Sequence, residues 1–243
     1  MVKSEDKISA DQVAEVEGRA RILAGWQLNL TALIAFLWSA FQMWYASPLP
    51  FFFKIGVFID VPARGIHLSF ALLLCFLLFP LFKFRRHRNA HLTDFILAGG
   101  GGFCALYLYL EYVALVERNG ILLNVPLFLF GFNYSFPLEL FLGATGILIL
   151  LEATRRAIGL PLVVVAFVFL LYSYFGQSMP DVVSHQGLSF SRLVGYQWLG
   201  GEAIFGIPIS VSVSFVFLFV LFGSMLDQAG GGRYFLNLAV ALV

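Results

Sequence analysis

Residues 207–226 read IPISVSVSFVFLFVLFGSML, twenty positions without one ionisable side chain. The hydrocarbon of a bilayer is about 30 Å thick and an α-helix rises ~1.5 Å per residue, so about 20 consecutive apolar residues cross it. Runs of similar character lie upstream at 26–46, 66–82, 95–116, 136–151 and 158–175. Over the whole 243 residues 60% are hydrophobic and 12% charged, against roughly 45–50% and 25% in soluble domains. The expected fold is an all-α integral membrane protein with six complete transmembrane helices. A further apolar run starts near Tyr234 and reaches Val243 after about half of a spanning length, which reads as a truncated seventh helix. The run at 136–151 is short, so it is expected to recruit part of 122–132 or to sit in a thinned bilayer.

Lys and Arg are retained on the cytoplasmic side during insertion. With the N-terminus inside, eleven basic residues are cytoplasmic: Lys3, Lys7, Arg19, Arg21, Lys83, Arg85, Arg86, Arg88, Arg155, Arg156 and Arg233. Lys54, Arg64, Arg118 and Arg192 are then outside. Trp44, Tyr45, Tyr107, Tyr109, Tyr112, Tyr172 and Tyr174 fall near the outer ends of the runs and Trp26 near the inner end of the first, where the headgroup layer suits an amphipathic ring. The net charge of +1 supplies no clustered basic face of the kind that binds nucleic acid.

Residues 1–25 form a polar cytoplasmic tail with no apolar signal core. Within it 9–21 is compatible with a short surface helix capped at Ser9 and equally with a solvated tail. The connections 47–65 and 122–137 are too apolar for water and too broken by Pro and Gly to span. They are expected as interfacial segments or shallow re-entrants packed on protein. In 176–206, Phe190, Leu193, Val194 and Trp198 recur at helical spacing after a serine, which suits a helix lying on the membrane surface. The break after Leu188 is the best boundary between two modules.

Asp94, Glu111, Glu139 and Glu152 lie in or beside apolar runs, where an ionisable group is a functional candidate by default. All four fall near helix ends, so capping or interhelical pairing is the favoured reading. Glu152, Arg155 and Arg156 stand at i, i+3 and i+4, so Glu152 can pair with either arginine while the arginines anchor the inner border. They are taken as structural anchors. The run KFRRHR at 83–88 reads as a topological anchor touching anionic lipid. Gly99–Gly102 serve helix packing or bending. Cys75 and Cys104 read as small buried hydrophobes. His67, His87, His91 and His185 form no metal-binding pattern, and His67 is expected as a hydrogen-bonded helix-end residue. No nucleophile stands with a base, and no catalytic residue is assigned.

Four stretches together carry a resemblance: RGIHLSFALLLCFLLFP (64–80), ERNG before the fourth run, LLEATRRAIGLPLVVVAFVFLLYSYFG (150–176) and GGEAIFGIPISVSVSFVFLFVLFGSMLDQAGGG (200–232). In that order the chain resembles the fused permeases of tripartite ATP-independent periplasmic (TRAP) transporters of the TAXI type. The resemblance implies a small-subunit-like scaffold over 26–187 and, over 188–243, the start of a large elevator-type (DctM-like) transport subunit. Glu202, Gly206 and Pro208, in EAIFGIP, mark its opening and a candidate interface.

The resemblance further implies a permease in a bacterial inner membrane, not an enzyme. It would take up organic anions delivered by an extracytoplasmic solute-binding protein and draw on an ion gradient. Expected partners are that binding protein, the bilayer and the remainder of the permease. No cofactor is expected beyond Na+ or H+ as coupling ion, and neither ion nor substrate ligands are assigned to this chain. The alternative from another class is a non-transporting membrane anchor or assembly subunit. An intramembrane enzyme built on Asp94, Glu111 or His67 ranks third.

Overall fold

The computed structural model of the chain describes residues 20–21, 23–81, 89–118, 121–129 and 132–242. The expectations for 1–19, for the basic run 83–88 and for His87 lie outside the described residues. Helix α1 (Trp26–Ala46) starts at Gly25, whose positive φ of 62° is one that glycine adopts without strain. A short helix, α2 (Leu49–Phe53), leads to α3 (Asp60–Leu78) and α4 (Leu92–Glu117). A two-stranded antiparallel hairpin follows, β1 (Asn124–Leu129) and β2 (Phe132–Pro137), with Asn124 opposite Pro137 and Leu129 opposite Phe132. Next come α5 (Leu138–Ala157) and α6 (Leu160–Tyr174), then α7 (Phe190–Val194), continued by a π-helical turn over Gly195–Leu199. The long helix α8 (Ile207–Gln228) contains a π-helical segment at Ser212–Val216, and α9 (Gly231–Leu242) follows a turn at Gly230.

Three of these helices, α3, α4 and α8, are long and apolar enough to cross a membrane, and α6 is a shorter apolar helix of 15 residues. The helical class holds. The hairpin is the departure from all-α, and it occupies the connection expected as an interfacial segment or shallow re-entrant. Pairing two strands satisfies backbone groups that an irregular apolar segment would leave without partners. The fourth run lies in α5, whose 20 residues reach about 30 Å, although its charged inner turn keeps it out of the three helices apolar enough to cross. The second begins at Asp60 rather than 66, with Pro62 and Gly65 tolerated in its first two turns.

The core lies where α3 and α4 cross and α5 covers them, through Leu68, Leu72, Phe76, Ala105, Leu108 and Ile149. Glycines permit the crossing. A Cβ on Gly101 would stand 2.7 Å from Ile149 Cγ2, and one on Gly65 would stand 2.9 Å from the Ala105 carbonyl oxygen. Helix α1 packs on α3 with an inverted polarity: it buries Gln27, Thr31 and Gln42 while exposing Leu33, Phe36 and Leu37. That arrangement suits hydrocarbon outside and polar partners inside. In α8 only Val213 is buried, and α6 buries no residue.

Candidate functional site

Five charged side chains converge where the chain enters α1, α3 ends, α4 begins and α5 ends. Asp94, in the first turn of α4, accepts from Arg156 Nη1 at 2.7 Å through Oδ1 and from Arg21 Nη2 at 2.9 Å through Oδ2. Its Oδ2 also accepts from the His91 backbone N–H, which caps α4. Arg21 reaches the Leu77 carbonyl and Arg156 the Phe79 carbonyl, both freed by the end of α3. Arg156 also lies over the Phe76 ring at 4.9 Å. Glu152 accepts from Arg156 Nε and, in a two-pronged pair, from Arg155 Nε and Nη2. A carboxylate and two guanidiniums this deep persist because nearly every donor finds an oxygen. Arg21 Nε is the exception, buried without a partner.

A second cluster forms around Glu139 near the opposite end of α4. Glu139 is 0% exposed and accepts from Arg118 Nη2 at 2.6 Å, Tyr107 Oη at 3.1 Å and the Leu123 backbone N–H at 2.7 Å. It therefore joins α4, the start of the hairpin and α5. Burial works against the charge on Arg118, but the bond to Glu139 outweighs it and the guanidinium is held the more firmly protonated.

Between the two clusters His67 sits within α3 rather than at its end. Trp38 Nε1 donates to His67 Nδ1 at 3.2 Å and Gln42 Nε2 lies 2.7 Å from the same atom. Nδ1 is thus the acceptor, and the ring proton on Nε2 faces Ser212 Oγ at 3.2 Å. This ties α1 and α3 to the π-helical segment of α8.

In the segment expected to lie on the membrane surface one face is turned into protein, while Phe190 stays 52% exposed. Leu193, Val194 and Trp198 are buried, with Trp198 0% exposed. Gly143 and Gly146 of α5 leave the space, since a Cβ at 146 would overlap the Trp198 ring. Trp198 Nε1 donates to the Cys104 carbonyl at 3.1 Å. An amphipathic helix finds a protein face as readily as a lipid one, and the small residues of α5 made that face available.

Of the expected transport-module residues, Glu202 and Pro208 are exposed and Gly206 is buried as the cap of α8. Arg64 Nη1 donates to the Phe205 carbonyl at 2.8 Å and so holds this turn to α3. Beside it a cleft of about 720 Å³ opens between the end of α4 and the 188–201 segment, with Tyr112, Arg192 and Tyr196 in its walls. Among the described residues no group of three His, Cys, Asp or Glu is placed to hold a metal ion. Sequence reading missed Arg21, Arg64 and Trp198. Basic residues flanking apolar runs were counted for topology, and nothing local separates a snorkelling arginine from one that turns inward.

Helices of spanning length around buried ion pairs define a helical membrane protein. Residues 145–243, from within α5 onward, match the family model of the tripartite ATP-independent periplasmic transporter, DctM component. That stretch is less than half of the chain, and it includes α6, α7 and α8. Comparison with curated proteins and with solved structures gives no match.

Proposed function

We propose that this chain is a membrane permease component of a TRAP transporter, a secondary active system that imports organic carboxylates on an ion gradient. The observation that carries the reading is the match to the DctM component over 145–243, laid on helices of spanning length. In this reading the chain crosses a bacterial inner membrane six times with its N-terminus in the cytoplasm. An extracytoplasmic solute-binding protein of the TAXI type hands over the solute, and Na+ or H+ drives uptake. Residues 26–187 act as a scaffold and 188–243 open the transport part, while the start of the match at 145 draws α5 and α6 toward the transport side as well.

Glu152, Arg155 and Arg156 act as anchors of the inner end of α5, and Glu202, Gly206 and Pro208 mark the entry to the transport part. Because Trp198, Phe205 and Val213 are buried within the core and Ser212 meets His67, that part is seated on the scaffold as far as the first half of α8. The 188–201 cleft and the exposed phenylalanines of α2 are the surfaces offered to the binding protein. The test is uptake of labelled carboxylates into proteoliposomes holding the intact permease, with its binding protein and an inward Na+ or H+ gradient. Uptake should require both. Uptake that persists without the binding protein and with both gradients collapsed would overturn the mechanism.

A further inference from the structure

Leu150, Leu151 and Thr154 of α5 face Leu162, Ala166 and Phe169 of α6 across a groove of about 330 Å³. Helix α6 buries none of its residues, so the groove is open along the side of the protein. Water does not fill an apolar furrow in hydrocarbon, and an empty one forfeits the dispersion contacts of its walls. An acyl chain restores them.

The inner end of the groove carries a cation. Arg155 lies one helical turn beyond Leu151, at the edge of the groove rather than in its lining. Glu152 takes its Nε and Nη2, 34% of the side chain remains exposed, and among the described residues Nη1 has no hydrogen-bond partner. Arg156 turns the other way, to Asp94. Among the described residues Arg21, Arg155 and Arg156 stand against Asp94 and Glu152, three positive charges to two negative. Basic sites between spanning helices on the cytoplasmic side hold anionic headgroups.

We propose that the α5–α6 groove binds an anionic phospholipid of the inner leaflet, with an acyl chain between the helices and its phosphate on Arg155. The inference rests on α5 and α6 lying in the bilayer with Arg155 inward. The test places a tryptophan in the groove, Phe169→Trp, in the intact permease reconstituted with brominated phosphatidylglycerol or brominated phosphatidylcholine. The difference from the unsubstituted protein reports the groove.

Phosphatidylglycerol should quench the added tryptophan at about fivefold lower mole fraction than phosphatidylcholine, the effect of one basic residue near an anionic headgroup. Arg155→Gln should bring the two lipids together, and inorganic phosphate should not compete. Ala166→Phe, which fills the groove and leaves the charges alone, should weaken quenching by either lipid. Equal quenching by the two lipids, a preference that survives Arg155→Gln, or displacement by inorganic phosphate would overturn the site. So would protection of the added tryptophan while exposed Trp26 is quenched, since protein would then cover the groove. Quenching of no tryptophan at all would instead sink the membrane placement itself.

Discussion

Asp94 holds two arginines, one 73 residues before it and one 62 residues after it, and each arginine also covers a carbonyl left open by the end of α3. Replacing it by alanine leaves two guanidiniums in a site with one remaining carboxylate, and breaking a buried pair this way costs about 3–5 kcal/mol. Asp94→Ala should therefore lower the thermal midpoint of the detergent-solubilised protein far more than Asp60→Ala does. Asp60 is the control because its side chain is 74% exposed and its pair with Arg64 is long, at 3.8 Å. Equal shifts for the two variants would mean that the inner cluster contributes little. Glycine 146 supplies a second residue-scale prediction. Gly146→Leu alone should abolish a stable fold, and adding Trp198→Ala should restore part of it, the positive coupling expected of two groups that compete for one volume.

Among the elements, α1 shows how a membrane helix is read by its polar face. Gln27 exchanges two bonds with the backbone of Ala90, donating at 3.2 Å and accepting at 2.7 Å, while Leu28, Leu33, Phe36 and Leu37 face outward. Gln27→Leu removes both bonds and leaves the Ala90 N–H and carbonyl without them, at about 1–3 kcal/mol for each buried orphan. Leu37→Ile on the exposed face should change nothing measurable, and the thermal midpoints of the two variants check the contrast. The His67 contacts put a similar requirement on α8. His67→Phe keeps the ring but loses Trp38, Gln42 and Ser212 as partners. It should loosen α8 against α1 and α3, read as faster amide exchange around 212–216 with the rest of α3 unaffected.

For the whole molecule the central question is topology. The inner cluster joins residues 21, 94, 152, 155 and 156, so these must share one side of the membrane, and the Glu139 cluster must lie toward the other. In the proposed topology the first of these sides is cytoplasmic, as the positive-inside distribution favours. A cysteine at Asn89 should therefore react with an impermeant maleimide only after the inner membrane is opened, and one at Val182, 95% exposed, should react in intact spheroplasts. Reversed accessibility would invert the proposed orientation. The firm seat of Trp198 and Phe205 in the core carries a matching expectation, that 188–206 stays fixed on the scaffold whatever the second half of α8 and later segments do during transport.

The helical class and the apolar runs were legible from the chain, because hydropathy is a local property that insertion reads in order. The i, i+4 relation of Glu152 and Arg156 was legible for the same reason. Three features were settled by tertiary structure alone: the inward turn of Arg21 and Arg156 onto Asp94, the burial of Trp198 against Gly143 and Gly146, and the hairpin in place of an interfacial or re-entrant segment. Their partners stand 62, 73 and 94 residues apart for Arg156–Asp94, Arg21–Asp94 and Trp198–Cys104. An apolar or basic residue near a membrane border has lipid, water and protein to choose from. The packing of small residues on neighbouring helices decides which of them it meets.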